Sequence, residues 1–442
     1  MPFIVLIPGI LCAIALARTS PQRAFMNVYL PVFLLLPTYY VWKVAALPPI
    51  GFAEATALPL GIGIILKDVA HWRFGRSDLW MALFILSSCY ADRAAGNTSV
   101  STFELFACIC MAGVPYMAGK LLIEQYDLRT ETLKRIVFLF FIVGIISAYE
   151  YKMGRNPFGL IFDRFFPGQV FGWKTQIRWG FGRVSGPFAQ SELAGMMFSF
   201  ALLLALYLSY MKLWEPKFSR APWLPFSKTK IITGVILFTL LMTQARGPWL
   251  GCLFAVPIAF IGRSKHILRT SILVFCVCAP LAIGSYVAVK HYTSGPVTSD
   301  EQQTARYRED LVSNYMPVVE RGGAFGWGKD FPRVAGQGSI DNEYLYLALT
   351  QGYVGVFALC LLALEAFIQL TKPAVFGGIV SYRYFAFTLG GILAGLLLTL
   401  ATVFLGNQPY ELFFLLIGWS QSLEPRIGEV KAPLRHFQTI YT

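Results

Sequence analysis

Apolar and polar positions along the chain follow one plan from end to end: apolar runs of membrane-spanning length, separated by short polar clusters. The runs fall at 3–17, 24–41, 52–66, 79–91, 103–119, 135–151, 188–211, 231–244, 248–262, 270–289, 341–369, 384–402 and 410–421. Strands of a membrane barrel alternate apolar and polar residues, and these runs do not. The pattern predicts an all-α integral membrane protein, one continuous domain over 1–442 with about twelve or thirteen transmembrane helices. Several runs are short for a hydrocarbon core about 30 Å thick, which predicts tilted helices or half-spans. The first run begins at once, without a basic leader, and reads as a retained span.

Composition sharpens this. Apolar residues make up 56% of the chain and charged residues 14%, against about 25% charged in a soluble domain. The net charge is +13, and where the cations fall sets the orientation. One set of alternate loops carries Arg18 and Arg23; Lys67, Arg73 and Arg76; Lys120, Arg129, Lys134 and Arg135; Lys212, Lys217, Arg220, Lys228 and Lys230; Arg263, Lys265 and Arg269; Lys372 and Arg383. The C-terminal tail adds Arg426, Lys431 and Arg435. The opposite short loops carry only Lys43, Arg93 and Arg246. The first set is assigned to the cytoplasm, with the C-terminus inside and the N-terminus outside. Nothing basic stands apart from the membrane segments, so the charge is read as anchoring to anionic lipid and nucleic acid is not expected as a partner.

Two longer connections fall on the outer face. Residues 152–187 hold Lys152, Arg155, Arg164, Lys174, Arg178 and Arg183 against the acid Asp163. That opposes the positive-inside bias: either the loop meets an anionic ligand, or a tightly folded loop translocates whatever its charge. In 290–340 a surface amphipathic helix is expected from Ser299 to Arg321. Tyr307, Leu311, Tyr315 and Val318 lie along one side, which suits the membrane surface. A glycine-rich turn follows, Gly322 to Gly328. The eight cysteines sit in apolar stretches without metal-ligand spacing, and the four histidines are scattered, so no metal site is expected.

Three constellations on the outer face carry candidate chemistry. Gly180 to Gly195 leads the basic loop into a span, with Pro187 near the helix start and Arg183 beside it. Backbone N–H groups there suit an anion, and an ordinary interfacial arginine with a helix-entry turn is the plainer reading. Met242-Thr243-Gln244-Ala245-Arg246-Gly247-Pro248 places a charge between two spans with almost no loop, which is costly unless the charge is paired, faces water or snorkels. Ser339-Ile340-Asp341-Asn342-Glu343-Tyr344 puts two carboxylates and an amide at the mouth of a span, either as helix caps or as a base and a grip on sugar hydroxyls. Arginine stays charged and grips phosphate oxygens in a bidentate fork. Two outward arginines with a carboxylate therefore suit a lipid-linked diphosphate whose sugar protrudes from the membrane.

In order and form these motifs resemble those of the O-antigen ligase and polysaccharide polymerase superfamily. Arg183, Gly186 and Phe188 match its Arg-x-x-Gly-x-Phe. Ala245 to Gly251 match Ser-Arg-Gly-x-Trp-Leu-Gly. Asp341-Asn342-Glu343-Tyr344-Leu345 with Gly352 and Gly355 match His-Asn-x-Tyr-Leu followed by Gly-x-x-Gly. The resemblance spans roughly 130 to 420. It implies glycosyl transfer from undecaprenyl diphosphate at the periplasmic face of the inner membrane, without metal, nucleotide sugar or other cofactor. Arg183, Arg246 and Asp341 would be catalytic, and Asn342, Glu343, Tyr344, Arg178 and Arg306 would bind substrate. Implied partners are membrane lipids, the lipid-linked glycan, a chain-length regulator and other export proteins. Asp341 stands where the ligases have histidine, which favours a polymerase of repeat units over an O-antigen ligase; Glu343 and His291 are the other candidate bases. A lipid or polysaccharide transporter would instead need ionisable residues deep in the spans. Glu54, Glu104, Glu150 and Glu365 are the candidates, each expected to lie near a span end or to snorkel.

Overall fold

The computed structural model describes residues 2–169, 175–219, 223, 225–295, 300–375 and 379–423. Lys174, Arg220, His436 and the tail cations Arg426, Lys431 and Arg435 lie outside them. The chain is an all-α integral membrane protein. Each of the thirteen apolar runs lands on helix, and among the described residues six helices are by themselves long and apolar enough to cross a membrane.

In chain order, α1 (Leu6–Arg18) turns into α2 (Pro21–Ala24), which runs through a π turn (Phe25–Tyr29) into α3 (Leu30–Leu35). Next come α4 (Phe52–Lys67), α5 (Arg76–Ala94) and α6 (Thr98–Cys108), the last continuing through two π turns and α7 (Val114–Ala118) to Ile123. Then follow α8 (Arg129–Met153), the short α9 (Pro157–Phe162), α10 (Ser191–Tyr210), α11 (Lys228–Met242), α12 (Arg246–Ile261) and α13 (Ile267–Thr293). The long connection holds α14 (Asp300–Gly322), and α15 (Glu343–Thr350), α16 (Gly352–Val375), α17 (Val380–Leu400) and α18 (Asn407–Gln421) complete the fold. Two hairpins, β1 (Val41–Trp42) with β2 (Ile50–Gly51) and β3 (Ile177–Arg178) with β4 (Phe181–Gly182), are the strands among the described residues.

Local chemistry explains the departures from the apolar runs. The second run, expected to reach residue 41, ends as helix at Leu35, because Pro37 forces Leu36 into an extended conformation (φ −101°, ψ 136°). Pro31 and Pro115 sit inside otherwise continuous helices, each just after a π turn. Proline lacks an N–H and crowds the carbonyl four residues back, and the wider π turn relieves both problems. The run at 341–369 is two helices, broken at Gly352 (φ +67°).

Packing rests on small residues. Methyl groups built on Gly391 and Gly395 of α17 would sit 2.6 Å from the carbonyl oxygens of Ala255 and Gly251 on α12. Without a hydrophobic driving force inside lipid, such close backbone contact is what dispersion can reward. The core, with Phe140, Phe198, Tyr207, Phe385, Phe413 and Trp419 fully covered, runs through most of the bundle. By contrast, α13 lies outside it, and none of its most apolar window is buried in protein.

The amphipathic helix is present as α14, but its apolar stripe meets protein rather than lipid. Leu311, Tyr315, Val318 and Val319 form a satellite core with Phe331, Ile340, Leu345 and Leu349. The reason is the glycine turn. Trp327 and Gly328 donate backbone N–H bonds to Leu349 and Thr350 (2.8 and 3.0 Å), and Val354 donates to Ala324 (3.0 Å), which folds α14 back onto α15. Lys329 then clips the connection to the α5–α6 turn through its N–H to Asp92 and its ammonium to Glu104. Burial alone would push the Lys329 pKa down; the Glu104 carboxylate outweighs this and holds it above the ordinary value.

Candidate functional site

The three motifs gather at one end of the bundle. The first two touch directly. The β3–β4 hairpin leans on the turn between α11 and α12: Arg178 donates to the Gln244 carbonyl (2.9 Å), Val184 N–H to the Met242 carbonyl (3.1 Å) and Arg183 Nε to the Thr243 carbonyl (3.4 Å). Arg183 is buried, at 6% exposure. Its other nitrogens bond Gln176 and Glu192, both at 2.5 Å, the latter an ion pair with the first turn of α10. The expected anion site at that helix start is thus held by Glu192. A guanidinium has five N–H donors, so two remain for a ligand. Arg246 is the exposed first residue of α12, where the helix dipole adds positive potential to its own charge.

The third motif joins through the connection after α17. Glu343 is turned inward and fully covered, accepting the Leu405 N–H at 2.7 Å, and Tyr344 donates its hydroxyl to the Leu397 carbonyl (2.8 Å). Asn342 caps α15 by accepting the Leu345 N–H (3.1 Å). Asp341, half-buried, accepts from Ser339 Oγ (3.0 Å) and remains at the rim. Arg306 is exposed on α14, next to Tyr307, whose hydroxyl bonds the backbone of Ser339. His291 is exposed at the end of α13.

Two groups absent from the sequence-derived site organise it. Glu150, at the end of α8, is fully buried rather than snorkelling. It accepts from Ser185 N–H and Oγ, Gly186 N–H and Thr175 Oγ1 at 2.8–3.1 Å. Its position near a span end was legible in the sequence; its partners, 25 to 36 residues away, were not. Glu54 and Glu365 are likewise buried, Glu54 accepting its own helix-cap N–H from Gly51 and Glu365 the Gln369 amide. The second group is 402–408. Thr402 packs against Gly247, Leu405 bonds Glu343, and Gln408 donates to the carbonyls of Pro187 and Leu36 (3.3 and 3.2 Å). The signal was Gly406-Asn407-Gln408-Pro409, readable as a turn but not as the element that touches all three motifs.

A narrow cleft lined by Gln176, Arg183, Gln190 and Glu192 opens beside the hairpin. It continues through Thr175, Ser185 and Ala189 into a larger cavity of about 400 Å³ between α9 and the Tyr39–Tyr40 loop.

These features define a multi-pass helical membrane protein with a polar, partly buried cleft at one bundle end. Residues 231–360 match the sequence profile of the O-antigen ligase family, so the superfamily resemblance read from the motifs is shown. The matched stretch holds the second and third motifs and the long connection between them, while Arg183 precedes it. No curated protein sequence matches the chain. What the family likeness supports is a polysaccharide-related ligase or polymerase function.

Proposed function

We propose that the protein is a polymerase that joins undecaprenyl-diphosphate-linked repeat units at the periplasmic face of the bacterial inner membrane. The observation that carries this reading is the docking of the Arg178–Arg183 hairpin on the turn that presents Arg246, a turn that the 402–408 segment ties to the start of α15, where Asp341 sits. Arg246 receives the diphosphate. Arg183, braced by Glu192 and Gln176, offers its remaining donors to the same group. The bond between the sugar's anomeric carbon and the diphosphate oxygen breaks, and the electron pair leaves with undecaprenyl diphosphate. The arginines stabilise that growing charge, so the residues present supply the electrostatics without a metal. The acceptor hydroxyl attacks the anomeric carbon and passes its proton to Asp341. Asn342 and Tyr344 hold α15 in place through their backbone partners, which keeps Asp341 at the rim.

A second reading, an O-antigen ligase, is favoured by the description of the matched family; Asp341 in place of histidine favours the polymerase. The test is a deletion strain complemented with Arg246→Ala, Arg246→Lys or Asp341→Ala and assayed for glycan chain length. Arg246→Ala is expected to cost about 100-fold or more in polymer, the scale of a lost oxyanion donor, with lysine restoring only part because it lacks the fork. Normal polymer from Arg246→Ala and Asp341→Ala at native protein levels would overturn the reading. Single lipid-linked repeat units in the deletion favour the polymerase, and long lipid-linked polymer favours the ligase.

A further inference from the structure

The geometry points to a saccharide-binding subsite in the cavity between α9 and the Tyr39–Tyr40 loop, next to the arginine cleft, that seats the sugar of the lipid-linked substrate. The inference rests on the proposed glycosyl transfer and specifies where the glycan lies. At about 400 Å³ the cavity falls within the about 300–1,000 Å³ of small-molecule pockets. Its lining mixes two kinds of surface. Tyr39, Leu160, Ile177 and Phe188 offer aromatic and apolar walls, and Arg155, Asp163, Thr175 and Ser185 offer polar groups. A sugar ring has that same duality: C–H faces that pack on aromatic rings and an equator of hydroxyls that bond carboxylate, guanidinium and hydroxyl groups. A purely apolar chain would leave the polar side unmatched, and a free phosphate would leave the tyrosine wall unused.

The walls are built independently of any ligand. Tyr40 is buried against Phe162 and Phe166 and donates its hydroxyl to Asp163, which aims that carboxylate along the cavity edge. Asn156 caps α9 and donates to Ser185 Oγ and the Gly186 carbonyl, both at 2.8 Å, so α9 and the first motif move as one body. Thr175, Ser185 and Ala189 line both this cavity and the arginine cleft. A diphosphate at the cleft therefore has its sugar directed under α9. The basic character of this connection, unexplained by topology, follows: Arg155 serves the glycan and Arg178 and Arg183 the diphosphate end.

The test uses the full chain in lipid nanodiscs. The probe is the oligosaccharide released by mild acid from the lipid-linked glycan that accumulates in the deletion strain, and binding is read by saturation-transfer NMR and calorimetry. Leu160 and Arg155 are exposed, so Leu160→Trp and Arg155→Ala leave the fold intact. Leu160→Trp, which fills the cavity, and Arg155→Ala, which removes a hydroxyl partner, are each expected to weaken binding about tenfold or more, the weight of a lost charged hydrogen bond, and to shorten the polymer in cells. Arg246→Ala is expected to bind the free oligosaccharide normally while making no polymer. Native affinity and chain length in both cavity variants would overturn the subsite, and if Arg246→Ala still abolished polymer the glycosyl-transfer reading would stand without it. Normal polymer from Arg246→Ala would overturn that reading instead.

Discussion

At the residue scale, the buried Glu150 carboxylate is satisfied by the loop that carries Arg183. Among the described residues Glu150 makes no ion pair; it satisfies two N–H groups and two hydroxyls of that loop. Burying a carboxylate is tolerable only with such partners. Replacing Glu150 with alanine strands the Ser185 and Gly186 N–H groups, at about 1–3 kcal/mol each. The expected outcome for Glu150→Ala is a lower melting temperature in detergent together with lost polymer. Glu150→Gln, which keeps one acceptor oxygen, is expected to fall between it and the native chain. Equal melting of all three proteins would show that the loop does not depend on this carboxylate. Arg183 follows the same logic from the other side, with three protein partners fixing its plane before any substrate arrives.

At the scale of elements, the long connection is held by a glycine seam. Gly352 has φ +67°, and a methyl group there would collide with the Ala324 carbonyl and the Gly326 N–H. Gly352→Ala is therefore expected to cost more than about 1 kcal/mol and to release 324–328 from the break between α15 and α16. Limited proteolysis between 329 and 339 reads this out: the variant should be cut faster than the native chain, and unchanged cutting would contradict the seam. Here the limits of the sequence are clear. The spacing of Tyr307, Leu311, Tyr315 and Val318 revealed an amphipathic helix, but spacing names no partner, and the stripe was assigned to the membrane surface. Its partners Ile340 and Leu349 come to it only because the glycine turn folds back. The Pro37 boundary was legible as local chemistry and was overridden by an apolar count that ran on to residue 41. Apolar length, by contrast, located helix at each of the thirteen runs, since a membrane segment needs that composition to sit in lipid.

At the scale of the whole molecule, the three motifs share one bundle end through contacts between distant stretches of chain. The hairpin on 242–244 could not be read from sequence, because contact across 60 residues leaves no local mark, and Glu192 reaches Arg183, nine residues away, only through the fold of the turn between them. The orientation itself is a prediction with a direct measurement. In a chain with its native cysteines replaced, Arg155→Cys is expected to react with a membrane-impermeant maleimide in intact spheroplasts, and Lys265→Cys only after lysis. The reverse labelling would put the arginine cleft in the cytosol and end the periplasmic reading.

The segment 402–408 acts as a keystone. Three stones that lie far apart along the chain, at 187, 247 and 343, rest against it, so none can settle into a new position alone. Harm done there spreads: a substitution at Gln408 should disturb the arginine cleft and the Asp341 rim together, and a second lesion in either should then add little.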